Sequence, residues 1–160
     1  MADKNEVPDL VESVEIDAPL DVVWRLVQDL RRMPEWSPQV ESTRLKDEAA
    51  GLGQGARFTN ANRQGELAWK THGTVVRFAP EHELAFRIEE NWAIWSFRLE
   101  RTDRDTTVLT QRREAPDGIS DLSRELTDAY LGGQETFTET LRDGMRQTLA
   151  AISAAAVAGD

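Results

Sequence analysis

The chain has 160 residues, of which 39% are hydrophobic and 30% are charged, and it contains no cysteine. This size and composition are those of one globular domain, and the lack of cysteine excludes disulfides, thiolate metal sites and cysteine nucleophiles. The formal charge of −10 repels nucleic-acid phosphates, so no nucleic-acid partner is expected.

The two ends of the chain are predicted to lie outside the folded domain. Residues 1–9 are polar and acidic and lack the apolar stretch of a secretion signal, which predicts a flexible tail and a cytoplasmic protein. Residues 154–160 are predicted to fray, so the domain is expected to span residues 10–153. No apolar run approaches the roughly 20 residues of a membrane-spanning helix, so no membrane insertion is expected.

The first predicted elements are a strand and two short helices. Residues 10–17 nearly alternate between apolar and polar side chains, which is typical of a half-buried strand. Asp17 and Pro19 then supply an N-cap and a first-turn proline. Apolar residues follow at helical spacing and predict an amphipathic helix: Val23, Leu26, Val27 and Leu30. Two prolines within residues 33–38 leave room for only a short second helix.

From Val40 onward the pattern becomes that of β-strands separated by turns. Most of the connections are short and turn-like, so successive strands are predicted to pair as antiparallel hairpins in a meander. Six strands are predicted, at residues 40–46, 56–63, 66–78, 83–89, 92–101 and 106–113.

After Gly118 the period returns to 3.6 and predicts a long C-terminal helix. Its apolar stripe consists of Phe137, Leu141, Met145, Leu149 and Ile152. Gly132 and Gly133 interrupt the helical pattern, and each costs about 1 kcal/mol relative to alanine inside a helix. We therefore expect a kink or hinge there, and residues 117–133 are the predicted lid of any cavity.

Several short motifs occur in the order of a known family. They are Val14-Glu15-Ile16-Asp17-Ala18-Pro19, Val23-Trp24, Met33-Pro34-Glu35-Trp36-Ser37-Pro38, Gly53-Gln54-Gly55-Ala56-Arg57-Phe58, Phe78-Ala79-Pro80 with Leu84-Ala85-Phe86, and Trp95-Ser96-Phe97-Arg98-Leu99-Glu100. Together with the element order, they resemble the helix-grip fold of the START and polyketide cyclase/dehydrase superfamily, also called SRPBCC. The resemblance implies an α+β fold: a curved antiparallel sheet of about seven strands wrapped around a long C-terminal helix, with two short helices after the first strand.

A cavity is expected between this sheet and the last helix, because a strongly bent sheet cannot touch a straight helix along its whole concave face. The predicted cavity residues are Trp69, Phe86, Ile88, Trp95, Phe97, Tyr130, Phe137, Leu141 and Met145. The same apolar alternation is also what an ordinary packed core requires, and both interpretations stay open.

Members of the superfamily include ligand carriers, hormone receptors, aromatases and cyclases. The resemblance therefore implies binding of a small hydrophobic or aromatic ligand, lipid-like or polyketide-like. One alternative is a polyketide cyclase, aromatase or dehydratase that uses the same cavity and needs a positioned acid or base. Another is a protein-interaction module with an exposed apolar patch and little internal volume.

Few side chains are candidates for catalysis or metal binding. Arg112 and Glu114 share one face of the last strand and are candidate catalytic groups, although such a pair is also typical of a structural ion pair. His72 is a third candidate. His72 and His82 are the only histidines and lie in no metal-spaced motif, so neither a metal nor a cofactor is expected. The chain is expected to be a monomer or a homodimer.

Overall fold

The computed structural model describes residues 7–159, so the tail predicted for residues 1–9 lies largely outside the described residues. The strands are β1 (Leu10–Ile16), β2 (Val40–Leu45), β3 (Arg57–Gln64), β4 (Leu67–Ala79), β5 (Glu83–Ile88), β6 (Ile94–Arg101) and β7 (Thr107–Glu114). The α-helices are α1 (Leu20–Val27), α2 (Met33–Trp36), α3 (Asp121–Tyr130) and α4 (Gly133–Ala158). None of the helices in this part of the chain is both long enough and apolar enough to cross a membrane.

The seven strands form one antiparallel sheet in the order β1-β7-β6-β5-β4-β3-β2. β2 to β7 pair as a meander, and β1 closes the far edge by pairing with β7. The curved sheet wraps around α4, with the short helices α1 and α2 after the first strand. This is the helix-grip fold that the sequence predicts.

The core lies between the concave face of the sheet, α1 and the C-terminal half of α4. Met145, Leu149 and Ile152 are buried, as the apolar stripe predicts. The helix continues to Ala158 and buries Ala156, so the predicted domain end at residue 153 is too early. Alanine has the highest helix propensity, and the alanine-rich last turns extend the docked helix instead of fraying.

The glycine pair separates α3 from α4, at the position where the sequence predicts an interruption. Gly132 has φ of 82° and Gly133 has φ of 89°, a left-handed conformation that side-chain-bearing residues avoid. α3 begins at an N-cap in which the Ser120 hydroxyl accepts a hydrogen bond from the backbone N–H of Ser123. Two helices joined by a glycine turn therefore replace one kinked helix.

Candidate functional site

The central strands present one apolar face to the helix. In the strand pairs, Trp95 lies opposite Phe86, and Phe97 lies opposite Leu84. Opposed residues of an antiparallel pair project to the same side, so these four line the concave face. The predicted orientation of β5 and β6 is therefore the observed one. In β4 the buried residues, which include Thr71, alternate with exposed or partly buried ones. Trp69 projects to the same side of the sheet as Thr71.

The helix does not follow this face along its whole length. From Met145 onward α4 buries side chains at helical spacing, but no residue between Gly133 and Gly144 is fully buried. Phe137 and Leu141 are only partly buried, although they belong to the predicted apolar stripe. The N-terminal half of α4 is therefore less completely covered by the described residues than its C-terminal half.

A pocket of about 320 Å³ lies at this end, between the β3–β4 turn and the α3–α4 junction. Its lining residues are Gln39, Gln64, Gly65, Tyr130, Leu131, Thr136, Phe137 and Thr140. Two of the nine predicted cavity residues, Tyr130 and Phe137, are among them. Four others, Phe86, Ile88, Phe97 and Met145, are buried, whereas Trp69, Trp95 and Leu141 are partly exposed.

α3 crosses the end of the sheet where this pocket opens. Its N-cap, Ser120, donates from its hydroxyl to the carbonyl of Glu90 in the β5–β6 turn, at 2.6 Å. The residue after its last turn, Leu131, lines the pocket beside Gly65 in the β3–β4 turn. Both turns lie at one end of the meander, because successive antiparallel strands reverse direction. Tyr130 is 67% exposed and lines this pocket, so it lies on the rim.

α3 also exposes an apolar stripe. Leu122, Leu126 and Tyr130 are four residues apart and therefore lie on one side of the helix, where each is exposed. Within α3 only Thr127 is fully buried. The predicted lid segment is thus a formed helix whose apolar side has few contacts with the described residues.

The concave face carries polar side chains that sequence analysis missed. Asn60 and Asn62 of β3 are buried, and the Asn62 side chain donates to the Thr71 hydroxyl at 3.0 Å. Gln111 and Arg113 of β7 are also buried and lie on the same side of the sheet as Leu109. The available signal was their spacing of two and four residues from Leu109, an apolar residue that predicts the inward side of β7.

The three candidate catalytic residues lie on the convex face. Arg112 and Glu114 alternate with the inward Gln111 and Arg113, so strand geometry directs them outward. Arg112 pairs with Asp9 at 3.4 Å. The expectation that Arg112 and Glu114 lie at the cavity end is wrong. His72 is a candidate only if its side of β4 faces inward, and that side faces outward, opposite to Trp69.

On the convex face, Glu114 takes part in a network of ion pairs and hydrogen bonds. Glu114 accepts a hydrogen bond from Arg77 at 2.9 Å, and Arg77 also donates to Glu83 at 3.0 Å. Burial by itself would lower the pKa of Arg77, but the two carboxylates outweigh it and raise that pKa. Arg77 and its partners thus form a structural network across three strands.

His72, Glu89 and Glu90 bring three possible metal ligands within 4.8 Å of one another on the same outer surface. The Nδ1 atom of His72 lies 2.6 Å from Glu90 Oε2, and the His72 backbone N–H donates to Glu90 Oε1 at 2.7 Å. Glu89 pairs with Arg57 at 3.5 Å. Hydrogen bonds and an ion pair therefore account for this cluster.

The helix-grip fold and the apolar concave face of its sheet define the class of protein. Residues 8–156 match the model of the family described as polyketide cyclase / dehydrase and lipid transport. The chain belongs to this family. No curated protein sequence is similar enough to the chain to count as a match.

Solved structures share the fold. StfQ, a di-domain ARO/CYC from the steffimycin biosynthetic pathway, superposes with a TM-score of 0.73 at 15% identity, covering 96% of this chain and 51% of StfQ. The chain thus spans about half the length of StfQ. Cgl2372 from Corynebacterium glutamicum, a Polyketide_cyc-like protein, is 29% identical with a TM-score of 0.60, covering 91% of this chain and 88% of its own. The major latex-like protein 151 of Panax ginseng has a TM-score of 0.68 at 14% identity, and the match covers 93% of this chain and 97% of the ginseng protein.

Proposed function

We propose that this chain binds a small hydrophobic or aromatic ligand, lipid-like or polyketide-like, between the concave face of the sheet and the N-terminal half of α4. The observation that carries the proposal is the contrast within α4. Its C-terminal half packs Met145, Leu149 and Ile152 into the core, whereas its N-terminal half buries no side chain fully. The less buried half is the part of α4 that lines the pocket beside the β3–β4 turn, through Thr136, Phe137 and Thr140.

The concave face of the sheet suits a flat apolar molecule. Trp95 is on the inward side of β6 and remains partly exposed, with Phe86 beside it. An indole offers a large apolar surface at little conformational cost. The 320 Å³ pocket beside the β3–β4 turn is lined by Tyr130 and Phe137 and not by Trp95 or Phe86, and its volume falls within the range of about 300–1,000 Å³ common for ligand sites. Burying roughly 200 Å² of apolar ligand surface contributes about 5 kcal/mol before the cost of association is subtracted.

The family supports both a carrier and an enzyme. Its description includes lipid transport as well as polyketide cyclase and dehydrase activity, and StfQ is an ARO/CYC. The second candidate, cyclisation or dehydration of a poly-β-keto chain, is favoured by the buried polar groups of the concave face. Asn62, Thr71 and Arg113 can orient carbonyl oxygens, which a carrier of plain hydrocarbons does not need.

Native mass spectrometry of the protein purified from its own source tests ligand binding. We expect a co-purifying organic molecule, and we expect the melting temperature to rise with the concentration of flat apolar compounds. No bound mass and no thermal shift across a diverse panel would contradict the proposal. Incubation with short poly-β-keto thioesters distinguishes the enzyme: cyclised or dehydrated product must form faster than in buffer.

A further inference from the structure

We propose that Arg113 and Gln111 form an anion-binding subsite on the concave face, at the end of the sheet that α3 crosses, so that the ligand is an apolar molecule with a carboxylate at one end. This inference rests on the proposed function and names its ligand class. The observations that carry it are two buried polar side chains of β7 whose hydrogen-bonding atoms are left unused.

Arg113 is a buried guanidinium with an incomplete set of partners. Its side chain is on the inward side of β7, opposite Leu10 of β1 and Trp95 of β6, and it is 6% exposed. One Nη2 hydrogen bond goes to the carbonyl of Pro8 at 3.2 Å, while Nε has no partner among the described residues. Buried polar groups are nearly always hydrogen-bonded, so an unused Nε–H calls for an acceptor.

Gln111 lies two residues earlier on the same side of the strand. It is 8% exposed, opposite Glu12 of β1 and Phe97 of β6, and its Oε1 atom has no partner among the described residues. The unused Oε1 atom is an acceptor and needs a donor, whereas the amide NH₂ group supplies two donors for an anion. Residues two apart on one side of a strand lie about 7 Å apart, so one oxygen-rich group can contact both side chains.

The surrounding charges favour an anion. Glu12, which lies opposite Gln111, forms ion pairs with Arg146 at 3.2 Å and with Arg142 at 3.6 Å. Four guanidiniums, those of Arg112, Arg113, Arg142 and Arg146, therefore lie among three carboxylates, Glu12, Asp9 and the exposed Asp143, within a chain of net charge −10. Burial lowers the pKa of Arg113, nearby Asp9 opposes this effect, and Arg142 adds to it. Arginine still remains protonated in proteins, so an incoming carboxylate meets a desolvated positive charge.

The subsite continues directly into the apolar wall. Trp95 lies opposite Arg113 in one strand pair and opposite Phe86 in the next. A ligand with its carboxylate at Arg113 thus places its body on these two aromatic rings. Arg113 is near the last residue of β7, at the end of the sheet that α3 crosses, so the acid end lies near the entrance.

A pair of matched probes tests the subsite: naphthalene-2-carboxylate and the uncharged naphthalene-2-methanol. Their dissociation constants are measured by calorimetry with the full chain. A hydrogen bond to a charged group predicts that the wild-type protein binds the acid about tenfold or more tightly than the alcohol. Equal affinities for the two probes would overturn the subsite while leaving the proposed function intact. Binding of neither probe at millimolar concentration would count against both.

Substitutions at Arg113 and Gln111 test whether these side chains cause the preference for the acid over the alcohol. Arg113→Met should abolish the preference for the acid and change binding of the alcohol by less than about threefold, because methionine keeps the apolar contacts. Arg112→Met is the matched control, since it removes the same charge from the opposite face of the sheet. A preference that survives Arg113→Met, or that Arg112→Met also removes, would refute the assignment. Gln111→Leu provides a second test and should weaken binding of the acid more than binding of the alcohol. If Arg113→Met does not fold, an unchanged preference for the acid in Gln111→Leu would argue against the site.

Discussion

Gly73 lies directly opposite Phe58 in the β3–β4 pair, and a Cβ atom on Gly73 would come 2.2 Å from Cζ of the Phe58 ring. The ring occupies the space that any other residue would fill at position 73. It reaches Phe86 of β5 in an edge-to-face contact with centroids 5.1 Å apart. One glycine thus allows an aromatic contact between strands that are not neighbours, and this contact forms the floor of the concave face.

Gly73→Ala should therefore destabilise the fold. Overpacking a well-filled core costs about 1–3 kcal/mol, and the methyl group would displace the Phe58 ring. Urea unfolding measures the loss in unfolding free energy. Gly53→Ala is the control, since no atom lies within 4 Å of its added Cβ and its φ is not positive. Phe58→Leu should reduce the cost of Gly73→Ala, and full additivity of the two changes would contradict the proposed clash.

The two halves of α4 should differ in their contribution to stability. Leu149 is 3% exposed, and Leu149→Ala should cost about 2–5 kcal/mol. Leu141→Ala should cost clearly less, below about 1.5 kcal/mol, because Leu141 is only partly buried. Chemical denaturation of both variants makes the comparison. Equal losses would mean that the N-terminal half packs as tightly as the C-terminal half.

Ligand binding should be visible in tryptophan fluorescence. Trp95 is inward and partly exposed, so an apolar ligand should change its emission. Trp95→Phe should remove most of the signal while preserving binding measured by calorimetry. Trp24→Phe serves as the control, because Trp24 packs against Phe78 with centroids 5.6 Å apart. A signal that depends on Trp24 instead of Trp95 would locate the ligand elsewhere.

The apolar stripe of α3 should act as the lid. If it covers a bound ligand, Leu126→Ser should speed ligand dissociation severalfold. The unfolding free energy without ligand should change by no more than about 0.5 kcal/mol, since Leu126 is exposed. Stopped-flow measurements provide the rates, with Glu125→Ser as the neighbouring control. Identical rates in wild type and Leu126→Ser would exclude α3 as the gate. Alanine at Gly132 or Gly133 is a poor test, because both have positive φ.

Much of this architecture follows from local sequence. Alternation of apolar residues predicts the strands and the inward side of β5 and β6, because a strand places successive side chains on opposite faces. Helical spacing likewise predicts the buried stripe that includes Met145 and Leu149. Gly132 and Gly133 mark the interruption before α4, since their left-handed backbone excludes a continuous helix.

The polar part of the site was decided by tertiary structure. In β7, Gln111 and Arg113 alternate with Arg112 and Glu114, so both sides carry polar or charged groups, and only the spacing from Leu109 distinguishes the two sides in the sequence. Pairing with Leu10 on one side and Trp95 on the other turns Arg113 inward. Tertiary packing leaves Phe137 and Leu141 partly uncovered, whereas helical spacing alone treats them like Met145 and Leu149. Local patterns specify which side of an element is apolar, but sheet curvature and strand pairing determine whether that side meets a core or a cavity.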